Sequence, residues 1–406
     1  MDRPDTAPSL STLPTARSQS EPPPRPAGSR WRRRALLLAV VVFPALFVRG
    51  CVLDTFAIRS NSMAPIFQGS SDAGDHLLVL RTGLDPRPLQ RWDVVVVDGS
   101  VDPTLTEGYG ALLKRVAALP GERVELRSGD LWVSPGPGQP MALERKPDEL
   151  IRALLVPVHT GAGLATPWIW EGPGTREPLT SGGVRLTAGD EPGHARFAES
   201  VADGQAGVPG EHSVSDTALR LVVGACDATL ELQLREGADV FRASLAPAAR
   251  GGAALQHNLG GRVVASAPDF PGLKAGDTVL AWNVDDGVRV FVNDRLLLSW
   301  DQPPHDPPPP GGAPRNDPGL VVTGGSVELR EVVVLHDLHY TAEGAWAAGG
   351  EFGVPPGQVF LLGDNSLRSR DSRYFGPVPE GAVLGRPFAR YAPFDRAGWL
   401  DREGAP

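Results

Sequence analysis

The order of apolar and polar residues predicts a chain built mainly from short β-strands. Runs rich in Val and Leu are separated by Gly, Pro and Asp, and long stretches with helical periodicity are hard to find. Thr229–Leu234 alternates between apolar and polar positions, and Val288–Val292 follows the same pattern apart from Phe291, which is typical of strands with one buried face. Val94–Val97 is apolar throughout, so we expect a strand in a sheet that is covered on both faces.

The predicted strands form two outer blocks with a different region between them. The outer blocks contain the runs Leu77–Leu80, Asp93–Val97, Leu112–Ala118, Arg123–Leu126 and Val359–Leu362. The Gly- and Pro-rich stretch Ser134–Pro140 ends the first block, and hairpin signals then recur from about Pro147 to Trp346. Asp285-Asp286-Gly287 and Asn293-Asp294 are two of these signals. We therefore predict an inserted sandwich of antiparallel strands.

One segment near the N-terminus has the pattern of a membrane anchor. Arg30–Arg34 precedes the apolar run Ala35–Val48, which would span about 21 Å as a helix and needs its flanking residues to cross a core of about 30 Å. A cleaved signal peptide, or a lipoprotein signal with Cys51 acylated, would begin in the same way. No Ala-x-Ala site follows the run, and Arg49 stands where lipoprotein signals carry a small or apolar residue. We therefore favour an uncleaved anchor over residues 30–53.

The distribution of charge sets the expected topology. The 406 residues carry a net charge of -9, and residues 1–34 hold seven Arg against three acidic residues. Basic residues before the anchor predict a cytoplasmic N-terminus, with the bulk of the chain on the outer face of the membrane. No basic face suggests nucleic acid. Cys51 and Cys226 lie far apart, so a disulfide framework is not expected.

Three polar stretches carry the candidate chemistry: Ser60-Asn61-Ser62-Met63-Ala64-Pro65, Leu113–Glu122 and Gly363–Gly376. A serine hydroxyl needs a base, and none of the eight histidines lies in a stretch typical of a Ser/His/Asp protease. Lys114 has apolar neighbours, and burial among them would lower its pKa enough for a neutral amine. On a strand Lys114 and Arg115 point to opposite faces, so we expect the lysine in the core and the arginine in solvent. Taken singly, each stretch is also explained by a polar turn or an edge-strand lysine.

Taken in order, the three stretches resemble the conserved boxes of type I signal peptidases, membrane-bound Ser/Lys proteases that remove secretory signal peptides. The resemblance implies that Ser62 is the nucleophile and Lys114 the general base. It also implies that Ser60 joins the backbone N–H of Ser62 in the oxyanion hole. Of the third box, it implies that Ser369 hydrogen-bonds the lysine and that Asp364, Asp371 and Arg373 support the site.

The chain departs from the family pattern at Arg59, Asn61 and Ile66 around the serine and at Trp92, and the loss of a hydroxyl at Ile66 bears on the local hydrogen bonding. Asn61 stands where glycine is common, and asparagine tolerates a left-handed backbone nearly as well. Trp92 replaces the glycine of the family's Gly-Asp-hydrophobic box, and we expect it to contribute to a core strand and a pocket wall. Small apolar side chains in this region and around Phe56 and Ile58 are expected to form shallow pockets that accept Ala.

The predicted fold is mainly β: a signal-peptidase-type β catalytic core, one N-terminal transmembrane helix and an inserted β-sandwich. The strand-turn-strand Trp282–Trp300 is loosely similar to the hairpins of concanavalin- or laminin-G-like jelly rolls. The predicted domains are a disordered cytoplasmic tail (1–29), the anchor (30–53), an N-terminal catalytic segment (54–146), the sandwich (147–346), a C-terminal catalytic segment (347–395) and a C-terminal tail (396–406).

The resemblance implies a serine endopeptidase that cleaves signal peptides from exported preproteins and needs no metal or cofactor. The implied partners are preproteins with Ala-x-Ala signal peptides, the lipid bilayer and the secretion machinery, while the sandwich would bind glycan or protein. Two alternatives stay open: a specialised Ser/Lys peptidase with one dedicated substrate, and an inactive membrane-tethered binding protein. Asp285, Asp286 and Asn293 would also suit Ca²⁺ or a sugar, although such residues are usually only turns.

Overall fold

The computed structural model describes residues 34, 36–38, 40, 53–70, 73–85, 87–105, 110–161, 167–205, 208–258, 261–304 and 317–405. The chain divides into two units, Met1–Cys51 and Val52–Pro406. The predicted tail over 1–29 lies outside the described residues, as does most of the predicted anchor over 30–53. Within the described residues, no helix has the length and apolar character needed to cross a membrane.

The described residues of the second unit form 27 strands and two α-helices. The strands are β1 Leu53–Ala57, β2 His76–Arg81, β3 Val94–Asp98, β4 Ala111–Ala118, β5 Arg123–Arg127, β6 Asp130–Ser134, β7 Ala142–Leu143, β8 Val156–Gly161, β9 Trp168–Glu171, β10 Thr175–Pro178, β11 Val184–Ala188, β12 Gly193–Phe197, β13 Thr217–Cys226, β14 Thr229–Glu236, β15 Asp239–Leu245, β16 Ala253–His257, β17 Arg262–Ala267, β18 Thr278–Val284, β19 Gly287–Val292, β20 Arg295–Asp301, β21 Gly319–Thr323, β22 Gly325–His336, β23 Phe352–Gly353, β24 Gln358–Leu362, β25 Val378–Pro379, β26 Val383–Ala392 and β27 Gly398–Trp399. The helices are α1 Asp148–Leu154 and α2 Ser372–Phe375. The prediction of a mainly β fold is confirmed.

The N-terminal and C-terminal blocks share one antiparallel sheet. Its strands lie in the order β1, β2, β26, β3, β4, β24, β25, and β27 pairs with β26. Strands β4 and β24 are neighbours here although the whole sandwich lies between them in sequence. A second sheet of β23, β5, β6 and β7 packs with the first around a common core.

Strand β3 has both faces covered, as its uniformly apolar sequence predicts. Val94 and Val96 belong to the core shared with the four-stranded sheet, while Val95 and Val97 belong to a separate cluster on the opposite face. All four side chains are less than 5% exposed. The central strands of this sheet therefore offer a dry environment on both sides, which matters for any charged residue that they carry.

The inserted region forms two sheets packed face to face. One has the order β10, β11, β22, β13, β18, β19, β20 with β8 on β22, and the other has the order β17, β16, β15, β14, β21, β12, β9. One hydrophobic core lies between them. Two-residue turns with positive φ, at Asp285-Asp286 and Asn293-Asp294, join β18 to β19 and β19 to β20, as the hairpin signals predict.

The three turn residues considered for Ca²⁺ do not form one site. Asp285 and Asn293 lie at opposite ends of β19, because the first precedes the strand and the second follows it. The Asn293 side chain is used locally, where it accepts from Thr278 N and donates to Asp277. The sequence grouped these residues only because they share a turn chemistry.

The last residues are integrated into the eight-stranded sheet that the two outer blocks share, although the sequence was interpreted there as a tail. Gly398–Trp399 pairs with β26, and Val94 N donates to Arg402 O at 3.0 Å. The segment contains few apolar residues, so its pattern gave no strand signal. Its backbone hydrogen bonds join it to β26 and to Val94 at the start of β3.

Candidate active site

Ser62 lies in a single turn of 3₁₀ helix, Asn61–Met63, between β1 and β2. Its carbonyl oxygen accepts a hydrogen bond from Asn365 N at 3.0 Å, which ties the turn to the loop after β24. Asn61 Oδ1 accepts from Gly69 N at 2.9 Å and closes the loop. The backbone of Asn61 is not left-handed, so the sequence-based explanation of this residue is wrong. Its side chain is what holds the turn.

Lys114 lies on β4, with β3 on one side and β24 on the other. The residue is only 2% exposed. Its Nζ lies 3.1 Å from Ser62 Oγ. The sheet therefore brings a buried amine and an alcohol within direct proton-transfer distance, although they lie far apart in sequence.

The surroundings of Lys114 favour its neutral form. Burial lowers the pKa of the Lys114 amine to about 8, and the carboxylates of Asp371 and Asp364 oppose this effect because they attract a positive charge. The guanidinium of Arg373 acts in the same direction as burial. Near pH 8 about half of the Lys114 amines are thus neutral and able to accept a proton.

Arg115 is buried as well, which corrects the prediction that it reaches solvent. Its guanidinium lies 2.7 and 2.6 Å from the two carboxylate oxygens of Asp364. It also donates to the carbonyl oxygens of Trp92 and Glu403. The prediction for Arg115 failed because both faces of β4 are covered. On the face that carries Arg115, the guanidinium meets a carboxylate and carbonyl oxygens instead of water.

The loop from Gly363 to Arg373 is held by a fully buried ion pair. Arg373 Nε and Nη2 lie 2.8 and 2.9 Å from the carboxylate oxygens of Asp371. Asp371 also accepts from Gly363 N at 3.1 Å, while Arg373 donates to Thr341 Oγ1 and Ser366 Oγ. The pair therefore fixes the loop that contacts the Ser62 turn.

The two further serines of the predicted site take different places. Ser60 is exposed, and its Oγ donates to Ser62 Oγ at 3.2 Å. Ser369 is buried, but its Oγ has no hydrogen-bond partner among the described residues. The bond to Lys114 that the resemblance implies is therefore not formed. Ser369 Oγ instead packs against Gly363, where the Cβ of any larger residue would collide with it.

An open cleft of about 350 Å³ runs past the Ser62 hydroxyl. Residues 55–60 line one side and residues 110–113 the other, and Phe56, Ile58 and Ala111 are among them. Strand β1 is at the edge of its sheet, so its outer backbone groups are available to an extended peptide. Phe56 and Ile58, around which the sequence predicts shallow pockets, thus line the same cleft as Ser62. Trp92 does not line the cleft; it precedes β3 in a left-handed conformation, with φ 71°.

The inserted region contacts the segment just after the Ser62 turn through Gln205. The Gln205 Nε2 donates to Ala64 O at 2.6 Å and lies 3.5 Å from Asp364 O. Its side chain is buried, since the residue is 7% exposed. Because Ala64 follows Ser62 by two residues, Gln205 ties the sandwich to the backbone of the candidate site.

Comparison with known proteins bears on the two outer blocks. Residues 30–159 and 327–392 match the model of a family described as signal peptidase, peptidase S26. These two segments are therefore similar to signal peptidases of this family, and together they make up just under half of the chain. The family match leaves out residues 160–326, which hold most of the sandwich strands.

The curated relatives are similar to this chain over short stretches. Mitochondrial inner membrane protease subunit 1 of Mus musculus is 51% identical over 47 residues, which are 12% of this chain and 28% of the relative. Probable signal peptidase I-1 of Synechocystis sp. is 32% identical over 126 residues, or 30% of this chain and 61% of the relative. The chain thus spans less than two thirds of either relative.

Among solved structures, a Bacillus subtilis protein of unknown function with a galectin-like fold matches with a TM-score of 0.33 and 10% identity. The match covers 46% of this chain and 99% of that chain.

Some residues of the candidate site were missed by the sequence analysis. Arg115 did carry a signal, since it follows the lysine within the Lys-Arg pair of the second box. Gln205 and Glu403 carried none, because they come from the inserted region and the last residues, and only the folded chain brings them to the site.

Proposed function

We propose that this chain is a membrane-bound serine endopeptidase of the signal peptidase I type, acting through a Ser62–Lys114 dyad. The observation that carries the proposal is the 3.1 Å separation between Lys114 Nζ and Ser62 Oγ in a buried setting. A lysine with a pKa near 8 can act as a base, and among the described side chains no histidine hydrogen-bonds Ser62 Oγ. The match of the two outer blocks to the signal peptidase family supports the same activity.

The proposed reaction has two steps that use the same base. Ser62 Oγ attacks the scissile carbonyl carbon while Lys114 accepts the hydroxyl proton and then returns it to the leaving amine. The backbone N–H of Ser62 and the hydroxyl of Ser60 donate to the carbonyl oxygen as it becomes negative. Ser60 Oγ must turn from Ser62 Oγ toward that oxygen. Lys114 then activates a water molecule, which hydrolyses the ester and restores Ser62.

The cleft suggests how an exported preprotein would be read. An extended peptide along β1 places alternate side chains on the same face, so the first and third residues before the scissile bond point into the cleft together. Ile58 and Ala111 are among the residues that line this cleft and make part of its wall apolar. Together with the match to signal peptidases, this lining leads us to propose substrates with Ala, or residues of similar size, at both positions.

The proposed location is the outer face of the cytoplasmic membrane. Arginines before the apolar run at Ala35–Val48 and the acidic remainder of the chain favour a cytoplasmic N-terminus. The edge strand β1 begins at Leu53, only a few residues after that run, so a cleft formed by β1 would lie close to the lipid surface. Such a position suits substrates that are themselves held in the bilayer.

A peptidase with one dedicated substrate is the second candidate, favoured by the Gln205 contact to Ala64. The inserted domain touches the backbone just after Ser62. It could therefore recognise a single substrate on its own surface, away from the cleft. A panel of unrelated Ala-x-Ala preproteins separates the two candidates. Cleavage of most of the panel supports a general signal peptidase, and cleavage of none but a cognate protein supports the second candidate.

Cleavage of an Ala-x-Ala preprotein by the full chain in detergent tests the dyad. We expect Ser62→Ala and Lys114→Ala to lose at least about 10³-fold in rate, since either change removes a group needed for acyl transfer. Lys274→Ala is the matched control, because this lysine is exposed on the sandwich. Wild-type rates in either dyad variant would contradict the proposal.

A further inference from the structure

A cluster of carboxylates lies where the four-stranded sheet of the catalytic block meets the sandwich. Asp130 begins β6, Asp216 immediately precedes β13, and Asp285 lies in the turn between β18 and β19. One carboxylate oxygen from each lies within 4.8 Å of the others. Asp216 and Asp285 are buried, and Asp130 is half-buried. Three negative groups from two different domains thus converge on one small volume.

In the described part of the chain, Lys146 and Arg145 place positive charges beside this cluster, and these are too few to balance its carboxylates. Lys146 Nζ lies 2.5 Å from Asp285 Oδ1 and 2.9 Å from Asp337 Oδ2, so one lysine serves two of the buried aspartates. Glu236 adds a further negative charge that acts on Asp130 and Asp216. Buried charges of one sign are costly unless a counter-charge accompanies them.

Asp337 supplies a second and independent observation. The residue is fully buried, and its Oδ1 has no hydrogen-bond partner among the described residues. Its carboxylate lies beside the cluster, because the Lys146 ammonium that binds Oδ2 also binds Asp285 and the charge of Asp337 acts on Asp216. Asn283 Oδ1 is likewise buried without a partner in the described ranges, while Asn283 Nδ2 donates to Glu236. Buried oxygens of this kind require a donor or a cation.

We propose that Asp130, Asp216 and Asp285 bind a Ca²⁺ ion that joins the catalytic block to the inserted sandwich. Carboxylate and amide oxygens select hard divalent cations. Ca²⁺ accepts irregular arrangements of oxygen ligands, whereas Mg²⁺ demands near-ideal octahedral geometry. Three carboxylates supplied by two separate parts of the fold therefore suit Ca²⁺ better. This inference does not depend on the peptidase activity.

Protons are the alternative that an experiment must separate from Ca²⁺. Burial, and then the neighbouring carboxylates, raise the pKa of Asp130 and Asp216 well above the usual range. A carboxyl whose pKa is raised by folding stabilises the protein at low pH, and this contribution is lost as the pH rises through the folded-state value. If protons alone relieve the repulsion, acidification would stabilise the chain and Ca²⁺ would have no effect.

Thermal unfolding of the full chain in detergent, in EDTA and then with about 1 mM CaCl₂ at neutral pH, tests the site. We expect Ca²⁺ to raise the Tm by about 5 °C, because an ion bound only by the folded chain stabilises it. Asp216→Asn should lose this increase, even if its Tm in EDTA equals or exceeds that of the wild type. Asp294→Asn, an exposed acidic residue of the same sandwich, should keep it.

Terbium luminescence gives a readout that does not depend on stability. Lys146 Nζ lies 5.9 Å from the ring centroid of Trp92, so an excited indole lies close enough to sensitise Tb³⁺ bound among the aspartates. We expect emission that Ca²⁺ displaces in the wild type and in Asp294→Asn but not in Asp130→Asn. A Tm that Ca²⁺ leaves unchanged, or raises equally in wild type and Asp216→Asn, would overturn the proposal. Emission that survives in Asp130→Asn would also overturn it.

Discussion

Arg115 and Asp364 form a fully buried, bidentate ion pair that joins the strand of Lys114 to the loop after β24. Removing one partner leaves the other charge buried and unpaired. We therefore expect Asp364→Ala or Arg115→Met to lower the free energy of unfolding by about 3 to 5 kcal/mol. Urea denaturation of the full chain measures this loss. In contrast, Arg81→Met, which breaks an exposed pair with Asp54, should change stability by less than about 1 kcal/mol. A loss that small in Asp364→Ala would show that water reaches the pair.

The pH dependence of cleavage reports the protonation state of Lys114. Because the neutral amine is the base, kcat/KM should rise about tenfold per pH unit below the pKa and level off above about pH 8. A profile from about pH 6 to about pH 10 measures this, and Lys274→Ala should give the same curve. Activity that is flat or falls across this range would exclude Lys114 as the base.

The hydroxyl of Ser60 should matter for rate more than for binding. Ser60→Ala removes one of two proposed donors to the oxyanion, so kcat should fall by about 10² to 10³ while KM changes little. Ser60→Thr keeps a hydroxyl and should recover some of the rate. Steady-state kinetics on a preprotein substrate measure both constants. Unchanged kcat in Ser60→Ala would mean that the Ser60 hydroxyl only donates its hydrogen bond to Ser62 and does not stabilise the oxyanion.

Gln205 is a positioning residue, since it touches the backbone after Ser62 and not the hydroxyl itself. Gln205→Ala loses one buried hydrogen bond, so we expect kcat to fall about fivefold with little change in KM. Gln205→Glu replaces the donor by an acceptor facing two carbonyl oxygens and should be at least as impaired. Wild-type kcat in both variants would mean that the sandwich does not influence the turn that contains Ser62.

Local patterns in the sequence predicted much of the fold. The apolar run at β3 indicated a doubly covered strand, and paired turn residues indicated the hairpins around β19. These features depend on neighbours in sequence, which is why a single chain reveals them. Local patterns did not predict the C-terminal strand, because Gly398–Trp399 becomes a strand only by pairing with β26.

The three polar stretches of the sequence predicted the central residues of the candidate site. Residues that reach the site from distant segments of the chain were missed. Ser62 and Lys114 were recognised by their order and neighbours. The burial of Arg115 was not, since it requires Asp364 and Glu403 to arrive from the far end of the chain. Asp130 gave no metal signal, because its proposed co-ligands Asp216 and Asp285 come from the inserted domain and share no local spacing with it.

Covalent labelling with a penem-type acylating inhibitor tests the Ser62–Lys114 pair most directly. Mass spectrometry of the digested full chain should find a single adduct on Ser62, formed faster as the pH rises toward and above about 8. Lys114→Ala should abolish the adduct, and Lys274→Ala should not affect it. An adduct on another residue, or equal labelling of Ser62 in Lys114→Ala, would contradict the proposed dyad.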